Sequence, residues 1–261
     1  IELGYTPGPT RFELVGLSHV LKTSTEALAG DVNLDTIVTW DPWSNPERAE
    51  HFLHLLSVYQ RGAGELLGWA RFLPCSLETE KFMVEHHKAT FNLEEASAPR
   101  DYKEAAMRMY NRVGNDRREK LYNAGAERTW SLNHIMLLRD LQAISQGTGQ
   151  YSGIEAGIRR ECLANLATLV REESWKINLY VVDDEPGLQS LPAVASYDSW
   201  VVLDSKFAFW RDLRGVMSYS ANAEFVKRVQ RPPLEVLLEN AAYRSRRQVL
   251  ALLDKLSACS G

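Results

Sequence analysis

Cysteine is scarce in this chain, and the three present, Cys75, Cys162 and Cys259, are widely spaced, odd in number and form no C-x-x-C pair. That leaves no disulfide framework, and a reducing, cytoplasmic setting is expected. An excess of positive charge is also missing. With 30 basic against 34 acidic residues the formal net charge is −4, so the chain as a whole lacks the footprint of a protein that grips phosphates over a broad surface. No uninterrupted apolar run reaches the length of a membrane span, and no internal repeat or low-complexity tract occurs. What is present is a 45% apolar composition spread over 261 residues, enough for one large domain, or one domain plus a fragment.

The opening residues read as a small helical unit. Leu14, Leu17 and Leu21 fall on one helical face. Thr23 with Glu26 makes a capping box for a second helix of about two turns, which Gly30 ends. Two such helices cannot bury a core alone. Ile1-Glu2-x-Gly4, Pro9, Leu14, Leu17, Leu21, Ser24, Glu26 and Leu28 resemble the tail of an Xre-type, lambda-repressor-like helix-turn-helix domain. The departures are an extra residue before Pro9, Ser18 where alanine is usual and Thr23 where valine is usual. The resemblance implies that residues 1–31 are the C-terminal half of a DNA-binding domain whose groove-reading helices precede Ile1. It places Tyr5, Thr6, Thr10 and Arg11 near the DNA backbone.

Residues 32–45 mix a possible short strand with Pro, Asn and Ser and are expected to be a linker, leaving 46–261 as an α/β domain. Ser44 and Glu47 make a capping box, with Pro46 in the first turn. Phe52, Leu55, Leu56, Tyr59, Ala63, Leu66 and Leu67 then recur at helical spacing, which predicts a long helix ending near Gly68. Further helices are expected at 79–91 and 101–123. Trp130–Leu138 and Trp175–Val182 read as buried strands on either side of a helix at 153–173, a β-α-β pattern. Strands at 193–197, 200–203, 206–210 and 216–219 suggest an antiparallel addition. Two helices, 221–230 and 234–256, close the chain with Pro232-Pro233 between them. The expected fold is α/β, a helical segment leading into a mixed β-sheet flanked by helices.

Within this domain Pro74, Leu77, Thr79, Glu80 and Phe82 match a Pro-Gly-Leu-Leu-Gln-Thr-Glu-x-Tyr-Ala signature. They resemble an uncharacterised domain that follows Xre-type units in actinobacterial regulators. Cys75, Ser76, Glu78 and Met83 depart from the pattern. The resemblance implies a sensor or partner-binding module with no established chemistry.

Signals for catalysis are thin. His51 and His54, with Glu47, Glu50 and the Glu85-His86-His87 run, suggest a metal site, but no H-E-x-x-H is present and adjacent helical histidines diverge by about 100°. Solvated or capped histidines are the simpler reading. Cys75, just upstream of a helix, has the placement of a nucleophile, against the commoner fate of a buried thiol. Asp183-Asp184-Glu185 reads as turn acids before Pro186-Gly187 more readily than as a Mg²⁺ site. There is no phosphate-cradling glycine loop, G-x-S-x-G elbow or nucleotide fingerprint.

A ligand pocket in the sheet region is the stronger expectation, because tryptophans at 130, 175, 200 and 210 gather there while Arg112, Arg117 and Arg118 offer charge to an anionic effector. Arg112, Arg117, Trp130 and Trp200 are the effector-binding candidates, although strand tryptophans are more often core. The Tyr243–Arg247 run could touch DNA phosphates but reads first as solvated helix surface. The resulting expectation is a bacterial, cytoplasmic, homodimeric transcription regulator that is not an enzyme, with no cofactor, metal or membrane. It would act through DNA and a small-molecule effector or a regulatory protein. The alternatives are a thiol- or metal-dependent hydrolase fused to a helix-turn-helix, and a protein–protein interaction module.

Overall fold

The structure, a computed structural model, describes residues 37–40, 52–91 apart from 53, 57, 61 and 75, then 131–172, 176–183, 197–213 and 216–259. The expected helix-turn-helix at 1–31 and the helix at 101–123 lie outside the described residues. The fold is α/β. Seven strands, β1 (Ile37–Trp40), β2 (Glu65–Ala70), β3 (Ser131–Leu137), β4 (Ile177–Val182), β5 (Tyr197–Leu203), β6 (Phe207–Asp212) and β7 (Met217–Ser220), form one mixed sheet in the order β1-β7-β6-β5-β2-β3-β4. β2, β3 and β4 run parallel. β5 joins β2 antiparallel, and β6, β7 and β1 continue that alternation. The strand inside the expected 32–45 linker is thus the edge of the sheet, where Thr39 and Ser218 share a hydroxyl hydrogen bond of 2.9 Å.

The helices are α1 (Glu80–Phe91), α2 (Leu138–Gln146), α3 (Ala156–Glu172), α4 (Arg231–Asn240) and α5 (Arg246–Ala258). Side-chain alternation along the strands divides the interior into two cores. Leu66, Leu132, Met136, Ile177, Leu179, Val201, Phe207 and Phe209 face a core closed by α1, α2, α3, α5 and the helical residues of 52–62. Leu67, Trp69, Ile135, Leu137, Trp200, Val202 and Trp210 face the other, closed by residues 223–241. The architecture is a three-layer sandwich, as expected of parallel strands covered on both faces.

Two expectations require correction. The helix predicted to run to Gly68 ends at Gly62, and Glu65–Ala70 is the central strand β2. Leu66 and Leu67 continue the helical spacing of Tyr59 and Ala63 by coincidence. They are buried on opposite faces of the sheet, and a strand covered on both faces reads as an unbroken apolar run. At Gly68 a Cβ would fit tightly, meeting Leu66 at 3.3 Å and Val201 at 3.5 Å.

The second correction concerns the C-terminus. Pro232 and Pro233 do not separate two helices. They lie in the first turn of α4, and π-helical Val226–Gln230 leads directly into it, so the two residues that cannot donate an N–H fall at the junction of the two helical forms. The chain breaks instead after Asn240, because Tyr243 exchanges two 3.1 Å backbone hydrogen bonds with Val181 at the outer edge of β4. Ser245 and Gln248 then cap α5 reciprocally. In the basic run that follows Tyr243, Arg244 Nε donates to the Ala241 carbonyl at 3.0 Å, while Arg246 and Arg247 are exposed.

Candidate functional site

The carboxyl end of β2 is where the parallel and antiparallel halves of the sheet meet, and ligands of open α/β sheets bind beyond such strand ends. Here the chain leaves β2 through Arg71 to Thr79 and enters α1, whose first turn is capped by Thr79 accepting from Phe82 N at 3.4 Å. Leu77 and Phe82 anchor the turn and the helix in the first core. Their burial carries Glu78 and His86 inward.

These two form a hydrogen bond of 2.7 Å between His86 Nδ1 and Glu78 Oε1, with side chains only 6% and 1% exposed. Three aromatic rings surround the imidazole, with centroids at 5.1 Å (Tyr151), 5.7 Å (Phe82) and 6.3 Å (Phe72). Tyr151 comes from the 3-10 turn Gly149–Tyr151 after α2, so the pair is closed in by a segment that follows β3. Burial, reinforced by the charge of Glu78, holds the Tyr151 phenol well above its usual range. Tyr151 therefore stays a neutral donor and acceptor, and its hydroxyl accepts from Gln150 Nε2 at 3.0 Å.

Asp198, on β5, lies within electrostatic reach of His86. A register shift between Tyr197 and Ser199 breaks the alternation there, and Arg71 N donates to the Asp198 carbonyl at 3.0 Å. The Asp198 carboxylate stands 3.5 Å from Arg211 Nε. Burial raises its proton affinity, and the charges of Arg211, Arg71 and His86 only partly offset that rise. The assembly offers a buried carboxylate–imidazole pair, a neutral phenol and a protonatable carboxyl facing two arginines. Such a set can hold a polar ligand by complementary hydrogen bonds, or shuttle a proton.

Of the residues singled out in the sequence, Tyr5, Thr6, Thr10, Arg11, Arg112, Arg117 and Trp130 lie outside the described residues, as does Cys75. Trp200 is described and is 2% exposed. It stands directly between Trp69 and Trp210 across three strands, against Tyr197 at 5.1 Å. It belongs to the second core, so a ligand would reach it only if the 223–241 layer moved. His54 is exposed, and among the described residues no group of three His, Cys, Asp or Glu side chains is placed to hold a metal ion. The described member of the acidic turn, Asp183, is exposed.

The residues that assemble the site, Glu78, His86, Tyr151 and Asp198, were not chosen together from the sequence. His86 stood out only as a metal candidate and Glu78 only as a departure from a signature. No family model, curated protein or solved structure matches the chain. No helix among the described residues is long and apolar enough to cross a membrane.

Proposed function

We propose that this chain is part of an Xre-type transcription regulator whose α/β domain, which includes the edge strand β1, binds a small polar effector at the carboxyl end of β2. The observation that carries the sensing half is the Glu78–His86 hydrogen bond, enclosed by Tyr151, Phe82 and Phe72. Burying a carboxylate beside an imidazole is costly, and strand ends of this kind are where α/β folds bring such groups to a ligand. The DNA-binding half rests on the resemblance within residues 1–31. Coupling follows from dimer geometry. Paired operator half-sites need two correctly spaced recognition elements, so an effector that favours one dimer arrangement changes DNA affinity without touching DNA.

The test is sedimentation velocity of the protein with compounds that raise its melting temperature in a small-molecule screen. A shift in the monomer–dimer distribution is expected. A ligand that stabilises the fold yet leaves the distribution unchanged would overturn the coupling.

A second reading, an enzyme, draws on the same pair. A carboxylate that orients an imidazole is acid–base apparatus. Turnover of ester or amide substrates, abolished by His86→Gln with the fold retained, would favour it over sensing.

A further inference from the structure

Arg159 is the most unusual charged residue among those described. It lies in the first turn of the 17-residue helix α3, is 7% exposed, and enters no ion pair among the described residues. Its Nη1 donates to the carbonyl of Ile154, just before the helix, so the guanidinium folds back toward the N-terminus of α3. Its Nε is buried and has no hydrogen-bond partner. Buried arginine is ordinarily matched by a carboxylate, because the guanidinium stays charged at any physiological pH. Here the nearest structural neutraliser is the end of α2. Gly147 caps that helix at φ +66°, and the guanidinium lies against it so closely that a Cβ on Gly147 would stand 2.5 Å from the Arg159 guanidinium carbon. The partial negative charge at the end of a nine-residue helix offsets only part of a full buried charge.

The geometry points to an oxyanion site at this place, one that takes the phosphate or carboxylate group of a small ligand. The first turn of α3 presents backbone N–H groups without intrahelical partners, and the helix dipole adds positive potential at the same end. Arg159 supplies the full charge, and its Nε is a donor with no partner among the described residues. Around it, Gly149, Gly153 and Gly157 leave room, with no atom within 4 Å of where a side chain would begin. The spacing of Gly147, Gly149 and Gly153 matches no nucleotide fingerprint, which is why the sequence did not announce it. The acidic residues nearest in sequence, Glu155 and Glu161, are exposed, Glu161 lying 4.0 Å from Lys81, while Asp140 on α2 has a side chain 17% exposed.

The same 147–155 segment carries Tyr151 into the Glu78–His86 cluster. The anion site therefore lies one turn of chain from the polar site and gives the effector a charged end. That last step rests on the sensing reading, whereas anion binding itself does not.

The experiment is calorimetric titration of the protein with inorganic phosphate and, separately, citrate, at constant ionic strength with chloride as the balancing anion. The ¹⁵Nε–H resonance of Arg159 is followed in parallel. Saturable binding is expected, with the Arg159 signal shifting and its exchange slowing. Arg159→Gln should lose at least tenfold in affinity. Because that variant alters a buried side chain and so tests the fold as well, Gly157→Asp serves as the second. Its side chain meets open space and sets a competing carboxylate at the helix N-terminus, so affinity should again fall with the fold intact. Preference for phosphate over citrate assigns a phosphoryl ligand, and the reverse assigns a carboxylate. The inference is overturned if neither anion binds, or if binding survives Gly157→Asp unchanged with no movement of the Arg159 signal. Anion binding that leaves the monomer–dimer distribution untouched overturns the coupling of this site to dimer geometry and spares the site.

Discussion

The two ends of the parallel strands treat polar groups in opposite ways. At the amino end, Glu65 accepts from Asn133 at 3.0 Å, Asn133 accepts from Asn178 at 2.9 Å, and Arg231 bridges Glu65 at 2.7 Å and Glu235 at 2.6 Å. Asp204, in a β5–β6 turn with φ +48°, accepts from the backbone N–H groups of Gly64 and Glu65 at 2.8 to 3.0 Å. These residues are half-exposed, and the hydrogen bonds to Glu235 and Glu65 outweigh burial and strengthen the hold of Arg231 on its proton. At the carboxyl end Glu78, His86 and Tyr151 are deeper, and burial displaces the titration of Tyr151 and of the less enclosed Asp198. A ladder of short, mutually satisfied bonds at a half-wet edge pins strands in register. Polar groups held under aromatic rings cost stability, and the natural reason to retain them is something that binds there.

The sharpest way to break this contrast is to cut the deep pair. Glu78→Ala leaves the His86 Nδ1 group without its buried partner, and loss of about 1–3 kcal/mol in urea unfolding is expected. A loss below about 1 kcal/mol would show that the pair is no more costly to break than a surface one. The amino-end ladder is the control. Glu65→Gln, which keeps the shape but removes the charge facing Arg231, should cost about 1 kcal/mol by the same measurement and leave effector binding unaltered.

Asp198 sharpens the comparison through pH. Its carboxyl holds a proton more tightly when folded than the ordinary value of 3.8. Its contribution is thus fully present below the unfolded value and is lost as pH rises through the folded one. Wild-type protein should lose stability relative to Asp198→Asn as pH climbs from about 4 toward neutrality. Melting temperatures across that range check it, and parallel curves would contradict it. The smallest effect belongs to the sheet edge. Thr39→Val removes the hydroxyl pair with Ser218 and should cost about 0.2–1 kcal/mol, read as faster amide exchange in β1.

What was legible in the sequence follows the same division. Strands β3 and β4 and helix α3 were visible because their apolar periodicity is undisturbed, and the antiparallel addition of β5, β6 and β7 was visible from the short runs after residue 197. β2 was hidden by Leu66 and Leu67, whose burial on opposite faces mimics a helical stripe. α2 was hidden because it starts at Leu138 directly after Leu137 ends β3, with no turn residue between them. The site was the least visible. Glu78 and His86 sit eight residues apart on a turn and a helix, Tyr151 arrives from beyond β3, and Asp198 is re-aimed by an irregularity in β5. No local spacing rule joins residues that only the sheet brings together.

The central claim, that the carboxyl end binds an effector while the amino end serves structure, is tested most directly by nuclear magnetic resonance. The side-chain signals of His86 and Tyr151 and the side-chain amides of Asn133 and Asn178 would be followed during titration with a library of small polar metabolites. The account predicts that at least one compound moves the His86 and Tyr151 signals saturably while the two asparagines stay in place. Binding compounds that move the asparagine amides and leave His86 and Tyr151 unchanged would contradict it.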